Sequence, residues 1–228
     1  MKLSFVLLSG LLSLTTVTIQ AQEVTKELNV RSFDRINIGS AIDVTVRQGG
    51  FNVEVDLPTG ESKYLDVKTD NNTLTVRLNR PPGNWLSSNQ NRKSPHITIT
   101  MPSLQGVTLS GASDGNISGF TNTDQLDINL SGSSDLKMTN VRAKRIRLKA
   151  SGASDSVISG ETDVLEAEIS GASDLSASNL IANEVVVRAQ GASDASVYAR
   201  RKVEKYARGG SDISVRGNPS TVHSNKLD

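Results

Sequence analysis

The 228-residue chain contains no cysteine. That absence excludes disulfide staples, thiolate metal sites, cysteine nucleophiles and a lipid-modified N-terminal cysteine, so a lipoprotein is not expected. Aromatic residues are scarce, with 4 Phe, 3 Tyr and 1 Trp. A chain of this length can bury a sizeable core, and that core must therefore rest on Val, Ile, Leu and Ala. A basic excess is missing too: 25 Lys and Arg stand against 24 Asp and Glu, a formal charge of +1. Nucleic acid is not an expected partner, because nothing is available to displace counterions from a phosphate backbone. The two histidines, His96 and His223, have no metal-ligand spacing. Neither a Gly-x-Ser-x-Gly elbow nor a phosphate-cradling glycine loop is present. The composition thus predicts no catalytic set, no metal site and no cofactor.

Long hydrophobic runs are confined to the start. Lys2, the apolar stretch Leu3 to Leu14 and the step Ile19-Gln20-Ala21 have the form of a signal peptide over residues 1–21, with the mature chain beginning near Gln22. The stretch is too short to hold a bilayer permanently, and none of spanning length follows. An exported protein is expected, in the periplasm, at the cell surface or secreted. Loss of Lys2 leaves 24 basic against 24 acidic residues.

What is present is a repeat. Ser110-Gly111-Ala112-Ser113-Asp114 recurs as Ser131-Gly132-Ser133-Ser134-Asp135, Ser151-Gly152-Ala153-Ser154-Asp155 and Ser170-Gly171-Ala172-Ser173-Asp174. Looser copies end in Asp194 and Asp212. The glycines at 111, 132, 152, 171, 191 and 209 are spaced by 21, 20, 19, 20 and 18 residues. Before each glycine the chain alternates: Leu126, Ile128 and Leu130; Ile146, Leu148 and Ala150; Leu165, Ala167 and Ile169; Val185, Val187 and Ala189. That period of two is a strand with one apolar face, and only Lys205 in the last copy breaks it. After each aspartate a second strand begins, marked by Ile117, Met138, Ile158, Ala177, Val197 and Val215. Two short strands per coil and a fixed turn between them predict an all-β fold: a right-handed parallel β-helix, or solenoid, with coils of about 20 residues.

The outward positions predict the register. One row reads Asp127, Arg147, Glu166, Val186, Glu204 and another Asn129, Lys149, Glu168, Arg188, Tyr206. In-register stacking sets acid beside base from coil to coil, whereas a shifted register stacks like charges. The basic run from Arg142 to Lys149 reads as one side of such a ladder. A small residue after each glycine points to a tight corner, with the glycine at positive φ or in close backbone contact.

Residues 22–217 read as one β-helical domain, β-rich but less regular over 23–105 and regular over 106–217. In the first part, Ile42–Val46 and Phe51–Val55 alternate around a turn at Gln48-Gly49-Gly50, and Leu65–Thr69 and Leu74–Leu78 form a hairpin about Asp70-Asn71-Asn72. A polar loop from Arg80 to Ser94 carries Trp85, Ile97 to Met101 returns to strand, and Gly39–Asp43 looks like a degenerate repeat. Residues 218–228 read as a polar tail, and this tail and the irregular first part are candidate caps for the open ends of the helix.

The row Asp114, Asp135, Asp155, Asp174, Asp194 and Asp212 is the sharpest candidate site. Carboxylates stacked at the ~4.8 Å strand spacing repel by about 1 kcal/mol per pair even in water, so something must offset the row. Two readings stand. Each Asp accepts hydrogen bonds from turn N–H groups and the repeat serines, or the row binds Ca2+ or a glycan, although one Asp and one Ser per coil fall short of the 6–8 oxygens calcium takes.

The stretch Phe33-Asp34-Arg35-Ile36-Asn37-Ile38, the following Ile42-Asp43-Val44 and Gln48-Gly49, the Met101-Pro102-Ser103-Leu104 step and the Ser-Gly-Ala-Ser-Asp series resemble the bacterial family called putative auto-transporter adhesin, head GIN domain. The resemblance covers the whole mature chain. It implies a right-handed parallel β-helix on the cell exterior and brings no catalytic residues; with only eleven residues after Gly217, no translocator barrel is expected. The expected function is that of an exported, non-enzymatic adhesin-like binding or structural module, with a carbohydrate or another envelope component as ligand. The alternative is a β-helical polysaccharide lyase or hydrolase, in which aspartates with Arg145, Arg147 or Lys149 deprotonate an acidic sugar.

Overall fold

Alternating apolar residues produce strands almost everywhere they occur. The computed structural model describes residues 23–81 and 94–227; the expected signal peptide and Trp85 lie outside these. In chain order the strands are β1 (Glu23–Glu27), β2 (Arg35–Ile38), β3 (Asp43–Gln48), β4 (Asn52–Pro58), β5 (Leu65–Asp70), β6 (Thr73–Leu78), β7 (His96–Met101), β8 (Gly106–Gly111), β9 (Gly115–Ser118), β10 (Thr123–Gly132), β11 (Leu136–Gly152), β12 (Ser156–Gly171), β13 (Leu175–Gly191), β14 (Asp194–Gly209), β15 (Asp212–Arg216) and β16 (Thr221–Leu227). A single 3-10 turn at Ser62–Tyr64 interrupts them, and the described residues contain no α-helix.

From β8 to β14 the chain is a β-solenoid whose successive coils pair in parallel. The predicted register holds: Asp127 lies opposite Arg147, Arg147 opposite Glu166 and Lys149 opposite Glu168, and Glu168 opposite Arg188. Glycines stack likewise, Gly111 on Gly132, Gly132 on Gly152 and Gly171 on Gly191.

The coil has three walls rather than the two expected. In β11 pairing breaks between Met138 and Val141, and in β13 between Ala177 and Ile181 and again between Ala182 and Glu184. A post-aspartate wall (Leu136–Met138) is therefore followed by a short wall (Val141–Ala143) and a pre-glycine wall (Arg145–Ala150). The short wall shows only two inward residues per coil, Val141 and Ala143 or Leu180 and Ala182, too few to register as a period of two. Asn140 at φ 53° turns the corner before it in one coil, and Gly119 at φ 90° does so in the coil before.

Two walls continue into the irregular N-terminal part, and Gly39–Asp43 forms the corner between them as the degenerate repeat predicts. On one, β2 pairs in parallel with β8 and with β6, and β5 closes the edge by antiparallel pairing to β6. The Asp70-Asn71-Asn72 hairpin forms as expected, with Asn71 and Asn72 at φ 46° and 58°. On the other wall β3 pairs in parallel with β9 and β7. There the structure departs from expectation: β3 and β4 are not neighbours, because β7 lies between them, parallel to β3 and antiparallel to β4. Gln48-Gly49-Gly50 is a link over one strand, anchored where Gly49 N–H donates to Met101 O at 2.9 Å. β1, antiparallel to β4, is the outer edge. Its sequence Glu-Val-Thr-Lys-Glu places charges where an open edge otherwise recruits strands.

At the other end, the segment read as a polar tail contains β16, which pairs in parallel with β14 from Lys202↔Thr221 to Arg208↔Leu227. Its residues Thr221 to Asn225 are exposed, so composition alone hid a strand that satisfies a backbone edge. Lys205, the odd residue of the inner row, folds its aliphatic stem over the last coil and donates from Nζ to Ile213 O at 3.3 Å. Between the ends the interior is filled by the predicted inner rows, all buried from Leu126 to Ala207 except Lys205. Aromatic packing is concentrated near the first coils, where the Phe33 and Phe51 rings lie 5.1 Å apart and Phe120 is buried.

Candidate functional site

The repeat glycines of the inner coils, Gly132 to Gly191, sit where a side chain meets the backbone of the neighbouring coil. Gly132, Gly152 and Gly171 have φ of 85°, 91° and 84°. A Cβ there would stand 2.4, 2.3 and 2.5 Å from the carbonyl oxygen of the glycine one coil below. That carbonyl accepts the N–H of the residue after the next glycine, as in Ala153 N–H to Gly132 O at 2.8 Å. The residue after the glycine is itself exposed. The tightness of the corner belongs to the glycine, not to the small side chain beside it.

Serine and aspartate then form two ladders running in opposite directions. Ser113, Ser134, Ser154, Ser173, Ser193 and Ser211 are buried. Their Oγ atoms accept from the preceding coil: Ser134 N–H donates to Ser154 Oγ at 3.3 Å and Ser154 N–H to Ser173 Oγ at 3.1 Å. The hydroxyls donate in turn to backbone oxygens, Ser154 to Ser151 O at 3.2 Å and Ser193 to Gln190 O at 3.1 Å. The aspartates point out. Asp135 Oδ1 accepts the Asp155 N–H at 3.1 Å, Asp155 Oδ1 the Asp174 N–H at 3.2 Å, Asp174 Oδ1 the Asp194 N–H at 3.0 Å, and Asp194 Oδ1 the Asp212 N–H at 3.0 Å. Asp43 Oδ1 makes the same bond to the Asp114 N–H at 3.3 Å, one coil earlier. The N–H groups offset the repulsion along the row, and the serines form their own ladder inside it. Among the described residues no three His, Asp or Glu side chains converge as a metal cluster.

The basic run behaves as a ladder throughout. Arg142 pairs with Glu161 at 3.1 Å, Lys144 with Asp124 at 2.6 Å, Arg147 with Glu166 at 2.9 Å and Lys149 with Glu168 at 3.2 Å. Arg145 also binds Glu166. Partial burial alone would raise the Glu166 carboxyl; hydrogen bonds and charge from Arg147 and Arg145 outweigh it and hold the group below the usual range. The residues a lyase would use are thus tied to acids one coil away. Nor do the histidines join a site: His96 sits opposite Asp43 on β7, and His223 opposite Glu204 on β16.

Clefts open on the outer walls among the described residues. One of about 400 Å3 follows the short wall and is lined by Asp124, Arg142, Lys144, Asp163, Asn183 and Arg200. Two more, of about 300 and 450 Å3, lie on the pre-glycine wall. In the larger, at the C-terminal end, the Arg188 guanidinium stands 4.9 Å from the centroid of the Tyr206 ring. Sequence reasoning read Arg188 and Tyr206 only as rungs of a ladder and passed over Arg208 beside them. The available signal was that Gln190 and Arg208 replace the serine of the earlier copies, beside Tyr206, the one aromatic residue of its row.

Comparison with curated proteins finds no match. Among solved structures, the chain is similar to a putative adhesin from Bacteroides fragilis, with a TM-score of 0.81 at 23% identity, covering 91% of this chain and 94% of that one. A putative lipid binding protein from Parabacteroides distasonis aligns with a TM-score of 0.67 at 16% identity, covering 90% and 97%. A putative adhesin from Parabacteroides merdae aligns at 0.55 and 14% identity, covering 91% and 97%. These likenesses establish the shared fold. The model of the family described as putative auto-transporter adhesin, head GIN domain, matches residues 32–219, and the chain belongs to that family.

Proposed function

We propose that the protein is an exported, non-enzymatic binding module that holds a carbohydrate chain, or another polymer of the cell envelope, against its outer walls. The observation that carries this reading is the arrangement of polar side chains. Donors and acceptors recur at the ~4.8 Å strand spacing along each wall and border clefts, among them the short-wall cleft lined by residues of successive coils from Asp124 to Arg200. A rigid stack that repeats its hydrogen-bonding groups suits a ligand that also repeats. Export is supported by the signal-like residues 1–21 and by membership of an adhesin family.

The lyase or hydrolase alternative needs a base free to take a proton from the substrate, and Arg145, Arg147 and Lys149 are all held in ion pairs. Probing the purified protein against a glycan array tests the binding reading. Retention of a defined set of glycans is expected, and a blank array would overturn it.

A further inference from the structure

On the pre-glycine wall one outward row keeps serine until its last two coils. That row reads Ser131, Ser151, Ser170 and then Gln190 and Arg208; the adjacent row reads Asn129, Lys149, Glu168, Arg188 and then Tyr206. The departures meet in space, since Gln190 lies opposite Arg208 and Arg188 opposite Tyr206. With Ser170 and Asn225 they border the cleft of about 450 Å3. Where the serine row gives way to Gln190 and Arg208, the adjacent row ends in Arg188 and Tyr206, so the last two coils carry a residue set unlike the earlier ones.

The charges there are unbalanced. Glu168 is held by Lys149 at 3.2 Å. Glu204, next in the wall, pairs with Lys202 at 2.6 Å and accepts from the Tyr206 hydroxyl at 3.3 Å. The hydrogen bond and charge of Lys202 keep the Glu204 carboxyl below its usual range. Neither acid is left for the two arginines, and no ion pair to Arg188 or Arg208 is found among the described residues. The Arg188 guanidinium instead lies over the Tyr206 ring, whose hydroxyl is fixed by Glu204. A guanidinium held over a ring, with no acid bonded to it, keeps N–H groups free to donate, and its loss of freedom on binding is reduced.

We infer that this cleft binds an acidic sugar, a pyranose carrying a carboxylate within a glycan chain. The inference rests on the glycan-binding reading above and names its ligand class. A carboxylate matches the planar guanidinium fork of Arg188 or Arg208. Gln190, Asn225 and Ser170 supply the amide and hydroxyl groups that ring hydroxyls require. A carboxylate also meets the positive charge that Arg188 and Arg208 leave unpaired, since Glu168 is held by Lys149. Tyr206 acts as a positioning residue through Arg188.

Titration calorimetry of the purified protein with oligogalacturonate, its carboxyl-reduced counterpart and a sulfated neutral oligosaccharide tests this. Oligogalacturonate is expected to bind, with at least tenfold weaker binding of the reduced form and a further loss as salt is raised. Arg188→Gln and Arg208→Gln should each weaken binding about tenfold with unchanged thermal midpoints, as both residues are exposed. Tyr206→Leu should weaken it comparably, and Lys68→Gln on β5, outside every described cleft, should leave it unchanged. Equal binding of the reduced form, preference for the sulfated oligosaccharide, or indifference to Arg208→Gln would overturn the inference while the glycan-binding reading stood. Failure of every glycan, on the array as in solution, would remove both.

Discussion

At the scale of single residues, the corner is where substitution is least tolerated. Gly171 combines a φ of 84° with a backbone oxygen 2.5 Å from any added Cβ. Gly171→Val is expected to cost about 3 kcal/mol or more, from left-handed backbone strain and displacement of the neighbouring coil. Ala172→Ser, one residue on and exposed, should stay within about 0.5 kcal/mol. Comparable losses in chemical denaturation would undercut the assignment of tightness to the glycine. The aspartates give a finer test. Asp155 Oδ1 accepts the Asp174 N–H, so Asp155→Ala should lose about 1 kcal/mol, while Asp155→Asn keeps an acceptor, relieves like charge and should remain near wild type. Thermal midpoints in EDTA and in millimolar Ca2+ should agree. A rise of several degrees with calcium would show the row to be a metal ladder instead.

At the scale of elements, charge and pairing set register. The Glu166 carboxyl has a lower pKa folded than unfolded, so on acidification the unfolded chain takes up its proton first. The stabilising contribution is therefore present above about pH 4.3, the ordinary glutamate value, and lost as pH falls through the folded value. Wild type should exceed Glu166→Gln by less than about 1 kcal/mol at pH 7, given partial solvent screening, and the gap should close toward pH 3. A gap that widens in acid would reverse the sign of this argument. Removing β16 by truncation after Gly217 should lower the midpoint and promote self-association on size exclusion, because the β14 edge from Lys202 to Arg208 loses its partner. Elements with strong alternation were legible in sequence: the inner rows, the coil-to-coil register and the Asn71-Asn72 hairpin. The short wall was not, since two inward residues make no period. Nor was the insertion of β7 between β3 and β4, because strands adjacent in sequence usually pair and nothing local in Gln48-Gly49-Gly50 says otherwise. Arg35 shows a similar limit: it reaches Asp127 at 3.0 Å by crossing Gly106, whose missing side chain leaves the path open.

At the scale of the whole molecule, the scarcity of aromatics, the absence of cysteine and the near-zero charge have one origin. A narrow coil takes small aliphatic side chains, parallel backbone ladders hold it without covalent staples, and acid stacked on base sums toward neutrality. The fold was therefore readable from the repeat. The site was less so, because a repeat draws attention to what recurs, as with Asp114 to Asp212, while Arg208 and Tyr206 occur once and look like decay of the pattern. On the proposed function, the surface binds along its walls and leaves its ligand intact. The most direct test incubates the purified protein with a polysaccharide it retains, over many hours and at an excess of binding sites, and follows both bound polymer and reducing or unsaturated ends. Saturable binding with polymer recovered at its original length is the predicted result. Accumulating chain ends that vanish on substitution of a single aspartate or arginine would contradict it.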